Sequence, residues 1–397
     1  MARRRKGKKG PKVLVDQHEP KPPFYLAAED LLVEKGTPEL FIKHIYCANE
    51  KVPGRGAVVM APGMATNANI FRMDDEGGLL SLEHDRSFAN LLASQGFSVY
   101  LYHPSYTERV HNRYVCAHFP ESVHYCGTYR APANLTFDTM VNDEVLRVVH
   151  YVTEVRGEKD ISWVGYSLGG MLMYAYLAIH PDRRVKNVVT IGTPITLNQL
   201  FIRVVPFINW MVRELGFEES DVVGGVSSRF VPMSKAIGLI PGKVLRYNPI
   251  SLLLANPFNL DDRVVKMLLT KVVETVPGPL AGSFSKMIVR GLDCKTYSPN
   301  MVRDMDETKK EKTNFLFIFG QYDLMAPPDT VLLAHEIITP HVTDNVIGVP
   351  KSGHVDIVVG KNAREKVWLP VTEWLKEKNS AETRPRARKT AANEPVA

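Results

Sequence analysis

The stretch that decides the fold reads Ile161-Ser162-Trp163-Val164-Gly165-Tyr166-Ser167-Leu168-Gly169-Gly170, followed by Met171-Leu172-Met173-Tyr174. A short apolar run collapses into Gly-x-Ser-x-Gly and passes directly into a helical pattern. That context separates a nucleophile elbow from a chance Gly-Ser-Gly spacing. A serine hydroxyl is a poor nucleophile at neutral pH. To react it must be presented on a sharp strand-to-helix turn, beside a base and near amide donors. Gly165 and Gly169 flank the turn, where a side chain would crowd the neighbouring strand or helix. The other reading is a glycine-rich turn around a buried serine; the strand before it and the helix after it weigh against that.

The same rhythm recurs on either side. Residues 56–61 form an apolar run broken at Pro62-Gly63, and Arg86–Gln95 carries a helical pattern (Phe88, Leu91, Leu92) that stops at Gly96. Phe97–His103 is a second apolar run. Thr136 is placed to cap a helix with Met140, Val141, Val145, Val148, Val149 and Val152 on its apolar side, ending near Gly157. The helix after Ser167 is expected to run to about Ile179, followed by a strand over Val185–Ile191. Later, Phe315–Phe319 and Asn345–Val349 are predicted strands; Pro328–His335 opens a helix and Ala363–Lys376 closes the pattern. Strands apolar on both faces, alternating with helices through short connections, imply a mostly parallel sheet covered by helices on both sides.

From Pro194 to about Lys312 the rhythm stops. Proline-broken apolar segments replace it, such as Leu200-Phe201-Ile202-Arg203-Val204-Val205-Pro206-Phe207-Ile208-Asn209-Trp210. The expected organisation is a basic tail over 1–20, a first core part over 21–194, a helical cap or lid over 195–312, a second core part over 313–378 and a tail over 379–397. An apolar insertion between late strands suits a lid lining an acyl pocket. Ordinary helical packing away from the site, and a surface that seats on lipid or polymer, are the other readings.

Composition narrows the class. The chain has 397 residues, 45% hydrophobic and 23% charged, enough for a substantial globular core. The formal charge of +6 comes from the ends: residues 1–12 carry seven Lys/Arg, and residues 379–397 carry four against two Glu, leaving about −3 for the body. Such tails are solvated, and neither zinc-finger spacing nor a basic stripe interleaved with aromatics points to specific nucleic-acid binding. The arginines at 3–5 are followed by Lys-Gly-Lys-Lys-Gly-Pro rather than an apolar stretch, so no secretory signal is expected. No run of about 18 uncharged apolar residues is present, so no transmembrane helix is expected. Four cysteines (Cys47, Cys116, Cys126, Cys294) at uneven spacing do not make a disulfide framework, and a cytoplasmic protein is the expectation.

With Ser167 as nucleophile, the acid and base should follow in the order Ser, Asp/Glu, His that accompanies this elbow. Of the three late histidines, His335 lies in a helical pattern and His341 in a polar turn. His354 follows Lys351-Ser352-Gly353 just past a strand end, where loops supply catalytic groups. Asp323, in Phe319-Gly320-Gln321-Tyr322-Asp323, occupies the corresponding place after the penultimate strand. Asp329, read as a helix cap, and Asp356, read as a supporting or surface residue, are the runners-up. His354 is expected to take the Ser167 proton and return it to the leaving group, with Asp323 fixing the imidazole tautomer. The oxyanion donors expected are the amides of Leu168, next to the nucleophile, and of Met64, in Ala61-Pro62-Gly63-Met64-Ala65-Thr66-Asn67. No cofactor is expected. A side cluster, Cys116, His118, His124 and Cys126, would share one face if Pro120-Glu121-Ser122 turned a hairpin, but its spacing matches no standard zinc motif.

Strand, elbow, acid and histidine together resemble the α/β-hydrolase fold. Two stretches look closer to one branch, the polyhydroxyalkanoate synthases. One is Trp163–Thr196, with His180-Pro181-Asp182 and Val185-Lys186-Asn187-Val188-Val189-Thr190-Ile191-Gly192-Thr193-Pro194-Ile195 after the elbow. The other runs from Gly320-Gln321-Tyr322-Asp323-Leu324-Met325-Ala326-Pro327-Pro328 to Ser352-Gly353-His354-Val355-Asp356-Ile357-Val358-Val359-Gly360, ending at Thr372-Glu373-Trp374-Leu375. The loop after residues 56–61 and the opening Leu135-Thr136-Phe137-Asp138 are also similar to acid lipases. The resemblance spans roughly residues 55–195 and 312–376, leaving out cap and tails.

One departure matters. The synthases carry cysteine at the elbow, and this chain carries Ser167. A thioester suits repeated transfer, whereas a serine ester reached by water favours hydrolysis. The expectation is therefore a serine esterase or lipase-like hydrolase acting on lipid-like or hydroxyalkanoate esters, small or polymeric. Acyl transfer of the polyester-synthase kind and a non-catalytic binding protein are the rivals. Coenzyme A use is not carried over, because no matched residue bears it.

Overall fold

The computed structural model describes residues 26–33, 38–73, 87–112, 129–180, 182–197, 242–247, 249–290 and 313–379. Eight strands form one sheet: β1 (Leu26–Val33), β2 (Leu40–Cys47), β3 (Ala57–Ala61), β4 (Ser98–His103), β5 (Ile161–Tyr166), β6 (Val185–Ile191), β7 (Asn314–Gly320) and β8 (Val346–Val349). Their order is β1-β2-β4-β3-β5-β6-β7-β8. β2 runs antiparallel to both its neighbours, and β3 to β8 pair in parallel.

The central strands are apolar at successive residues because both faces are covered. Val59, Trp163, Val188 and Phe315 lie in one row of register partners and Met60, Val164, Val189 and Leu316 in the next. Side chains alternate between faces, so the first row joins a core with Val145, Val149, Leu172 and Val331, and the second a core with Phe88, Leu92, Trp368 and Leu375. Each such side chain removed from water contributes about 1.5–3 kcal/mol.

Helices form where the apolar periodicity placed them. Thr136 caps the helical stretch 137–155 through a reciprocal box, with its hydroxyl accepting the Thr139 amide and Thr139 Oγ1 accepting the Thr136 amide. The helix after the elbow spans Leu168–Ile179, and the late helix spans Pro328–Ile338. Asp329 sits in the first turn of that late helix, with Pro327 at the cap position, so it is not the cap expected from the sequence. Proline suits this start because the first helical amides lack intrahelical partners anyway.

β1 and β2 lie outside the elements read from the sequence. Both are buried and carry charge: Asp30 faces Lys43 across the ladder at 2.5 Å, and Glu29 receives Arg156 at 3.3 Å. Between β6 and β7 the described part of the insertion is helical, with Gly242–Arg246, Pro249–Leu254, Asp262–Met267 and Gly278–Arg290. Leu245, Val264, Val265 and Val272 join the cluster on one sheet face, and Val276, Leu280 and Phe284 join the other. The apolar segment 200–210 lies outside the described residues. No helix among the described residues is long and apolar enough to cross a membrane.

Candidate active site

β5 ends at Tyr166, and Ser167 turns the chain at φ 50°, ψ −113° before the helix Leu168–Ile179 begins. Positive φ is costly for a residue with a side chain and persists only where the surroundings enforce it. Here the Ser167 amide donates to Ile191 O at 2.9 Å, and the Gly170 and Met171 amides donate to Ser167 O at 3.0 and 3.1 Å. Trp163 Nε1 donates to Gly169 O at 2.9 Å. Gly169 has no space for a side chain, because a Cβ there would collide with the Ala61 carbonyl of β3. The serine therefore stands at the carboxyl end of the parallel strands, where open α/β sheets bind ligands.

Asp323 and His354 arrive from the next loops along that same edge. After β7, Asp323 Oδ1 accepts the Met325 and Ala326 amides at 2.8 and 2.7 Å, which aims Oδ2 at His354 Nδ1, 2.8 Å away. His354 Nε2 lies 3.0 Å from Ser167 Oγ. Asp323 is only 1% exposed and His354 7%, so the contact is shielded from water. Behind the ring, Tyr166 donates its hydroxyl to His354 O at 3.2 Å, with the ring centroids 5.1 Å apart. A neutral imidazole carrying its proton on Nδ1, toward the acceptor-only carboxylate, leaves Nε2 free to accept from serine.

The other late candidates stand elsewhere. His335 bonds Val342 O from its helix, and His341 is in an exposed turn. Asp356 is buried beneath the histidine loop. Its Oδ1 accepts the Gly353 and Asn256 amides at 2.9 and 2.8 Å, and Oδ2 accepts Asn259 Nδ2 at 2.6 Å. Burial pushes its carboxyl above the ordinary range, while these bonds pull the other way.

The loop after β3 passes against the serine: a Cβ on Gly63 would stand 2.7 Å from Tyr166 Cε1 and 3.3 Å from Ser167 Cβ. Gly63 O is held by Tyr106 Oη and Thr66 Oγ1, both at 2.9 Å. Because the peptide is trans, anchoring that carbonyl turns the Met64 N–H to the opposite side. Leu168 opens the helix, so its amide has no intrahelical partner. Sequence reasoning missed Tyr106, Asn67, Asn259 and Glu274, which hold these loops; no local motif marks them. The cluster Cys116, His118, His124 and Cys126 lies outside the described residues. Among the described residues, no group of three or more His, Cys, Asp or Glu is arranged to hold a metal ion.

An α/β sheet in this order, with a serine elbow facing a buried His–Asp pair, defines the class. The chain has the α/β-hydrolase fold, and the family model described as alpha/beta hydrolase fold matches residues 56–215. In sequence it is similar to polyhydroxyalkanoate polymerases. It is 22% identical over 336 residues to the poly(3-hydroxyalkanoate) polymerase subunit PhaC of Haloferax mediterranei, a match covering 77% of this chain and 57% of that one. It is 24% identical over 323 residues to the subunit of the same name from Allochromatium vinosum, covering 76% and 77% respectively. Among solved structures, a thermophilic esterase from Thermogutta terrifontis aligns with TM-score 0.52 and 14% identity, over 88% of this chain and 99% of the esterase. At that identity the likeness is one of fold.

Proposed function

We propose that the protein is a serine hydrolase that cleaves carboxylic esters, lipid-like or of hydroxyalkanoates, through an acyl-Ser167 intermediate. One observation carries this reading: the unbroken contact from Ser167 Oγ through the His354 ring to Asp323 Oδ2, at 3.0 and 2.8 Å. His354 Nε2 takes the serine proton as Oγ attacks the ester carbonyl. Asp323 holds the imidazolium that results, and the Leu168 and Met64 amides receive the oxyanion. Collapse expels the alcohol, protonated by His354, and a water activated by the same nitrogen releases the acid. The described helices between Gly242 and Arg290 belong to the inserted segment, which on this reading serves as a cap for the lipid or polymer substrate.

Fluorophosphonate labelling tests the reading. Folded wild type is expected to label and Ser167→Ala to remain unlabelled. His354→Ala should cut p-nitrophenyl ester cleavage by roughly three orders of magnitude or more. Absence of labelling in folded wild type would refute catalysis by Ser167 and leave a binding protein.

Acyl transfer is the second reading, favoured by the sequence relationship to the two polymerase subunits. A hydroxyacyl thioester offered with an alcohol separates the two: product beyond free acid favours transfer. Serine in place of cysteine supports hydrolysis.

A further inference from the structure

The loop that carries Met64 is tied to the inserted segment at a distance of some two hundred residues in sequence. Thr66 and Val273 form a bridge, Asn67 N donates to Val272 O at 3.0 Å, and Glu274 N donates to Ala65 O at 2.8 Å. Asn67 Nδ2 places its two protons on Lys271 O, at 3.0 Å, and Glu274 Oε1, at 2.7 Å. Glu274 Oε2 accepts the Arg109 amide at 3.2 Å. Glu274 is 1% exposed and Asn67 is fully buried.

We propose that Glu274 is a positioning residue for the oxyanion loop, its carboxylate joining the inserted segment to Asn67 on one side and to the Arg109 amide on the other. The proposal rests on Ser167 being the nucleophile and Met64 supplying an oxyanion donor. Both groups that meet the carboxylate are donors, so the join is strongest when Glu274 is ionised. A proton on either oxygen leaves a weaker acceptor for the N–H that meets it. Burial raises this carboxyl to about 7, with Asn67 and Arg109 opposing and Glu108 adding to the rise. The charged and titratable groups facing it are Arg109 and Glu108 from one short helix and Tyr106 just before it. The insertion thus sets the loop's geometry through a group that titrates near neutrality.

The test compares wild type with Glu274→Gln in turnover of a p-nitrophenyl ester between pH 5.5 and 9. The glutamine amide offers one acceptor to two donors and stands for the protonated state of the carboxyl. Expected is a fall in kcat of about tenfold at pH 8 with KM within about twofold, since a shifted oxyanion loop weakens transition-state contacts more than ground-state ones. The acid limb of kcat/KM should lose one ionisation. An unchanged kcat and acid limb, with only thermal stability altered, overturns the proposal. Folded wild type that neither turns over ester nor labels with fluorophosphonate overturns the serine reading first, and this one with it. Should Glu274→Gln not fold, hydrogen exchange in wild type decides. Protection at residues 64–67, corrected for intrinsic rate, is expected to be lower at pH 8 than at pH 6, because opening releases a carboxyl that holds its proton more tightly when the loop is closed, and pH-independent protection overturns the proposal.

Discussion

The Asp356 carboxylate accepts the Gly353 amide proton at 2.9 Å, so the residue before His354 is tethered by one lying two positions after it. The tether continues into the insertion. The same oxygen accepts the Asn256 amide, Asn256 Nδ2 donates to Lys351 O at 2.6 Å, and the Val355 amide donates to Leu254 O at 2.9 Å. The loops that carry His354 and Met64 are therefore each stitched to residues 254–274.

Asp356→Ala should damage both stability and reactivity. It strips the carboxylate from two amides and from Asn259, and an unsatisfied buried polar group costs about 1–3 kcal/mol. Urea denaturation is expected to show a loss of that size or greater, and fluorophosphonate labelling of Ser167 should slow as the His354 loop loosens. An unchanged midpoint together with an unchanged labelling rate would show that the tether positions nothing.

Gly192 separates backbone strain from active-site crowding. It adopts φ +53°, and a Cβ there would stand 3.1 Å from Asp323 Oδ2 and 3.4 Å from His354 Nδ1. Gly157 has φ +75° with nothing within 4 Å of the added atom. Both Gly→Ala changes should cost about 1–2 kcal/mol for the left-handed backbone. Only Gly192→Ala should also reduce kcat, by about tenfold or more, because it pushes the Asp323–His354 contact off line. Equal activity in the two variants, measured by ester turnover, would count against that geometry.

Glu274 gives the fold a pH dependence of definite sign. Its carboxyl titrates near 7 in the folded chain against an ordinary 4.5, so the folded state holds the proton more tightly than the unfolded state. The associated stability is fully present below about pH 4.5 and is lost as pH rises through about 7, a swing of roughly 3 kcal/mol. Thermal unfolding should show wild type losing stability between pH 5 and 8 relative to Glu274→Gln. Parallel curves for the two proteins would contradict this.

The central sheet and the meeting of Ser167, Asp323 and His354 were legible because each leaves a local mark. β6 was expected over Val185–Ile191 and spans those residues, since a strand buried on both faces is a continuous apolar run bounded by polar turns. Ser167, Asp323 and His354 stand just past strand ends, where element boundaries in sequence come together along one edge of the sheet in space. Two things left no such mark. β1 reads Leu-Ala-Ala-Glu-Asp-Leu-Leu-Val, rich in helix formers and carrying charges that would be expected at the surface. The contacts that brace the site join single polar residues across long separations, 207 positions for Asn67 and Glu274, and no periodicity encodes them.

The buried charges that hid β1 also yield its most direct test. Asp30 and Lys43 are register partners, 3% and 6% exposed, with Nζ 2.5 Å from Oδ1. Removing one partner takes the cross-strand counter-ion from the other in a low-dielectric site, so Asp30→Leu alone should cost about 3–5 kcal/mol. Replacing both, as Asp30→Leu with Lys43→Met, removes the desolvation penalty and the attraction together, and stability should return to within about 1 kcal/mol of wild type or exceed it. A double-mutant cycle by urea denaturation measures the coupling. Additive losses would mean that the two charges are stabilised separately, by Glu29, His44 and solvent, and that the cross-strand pair does not set the β1–β2 register.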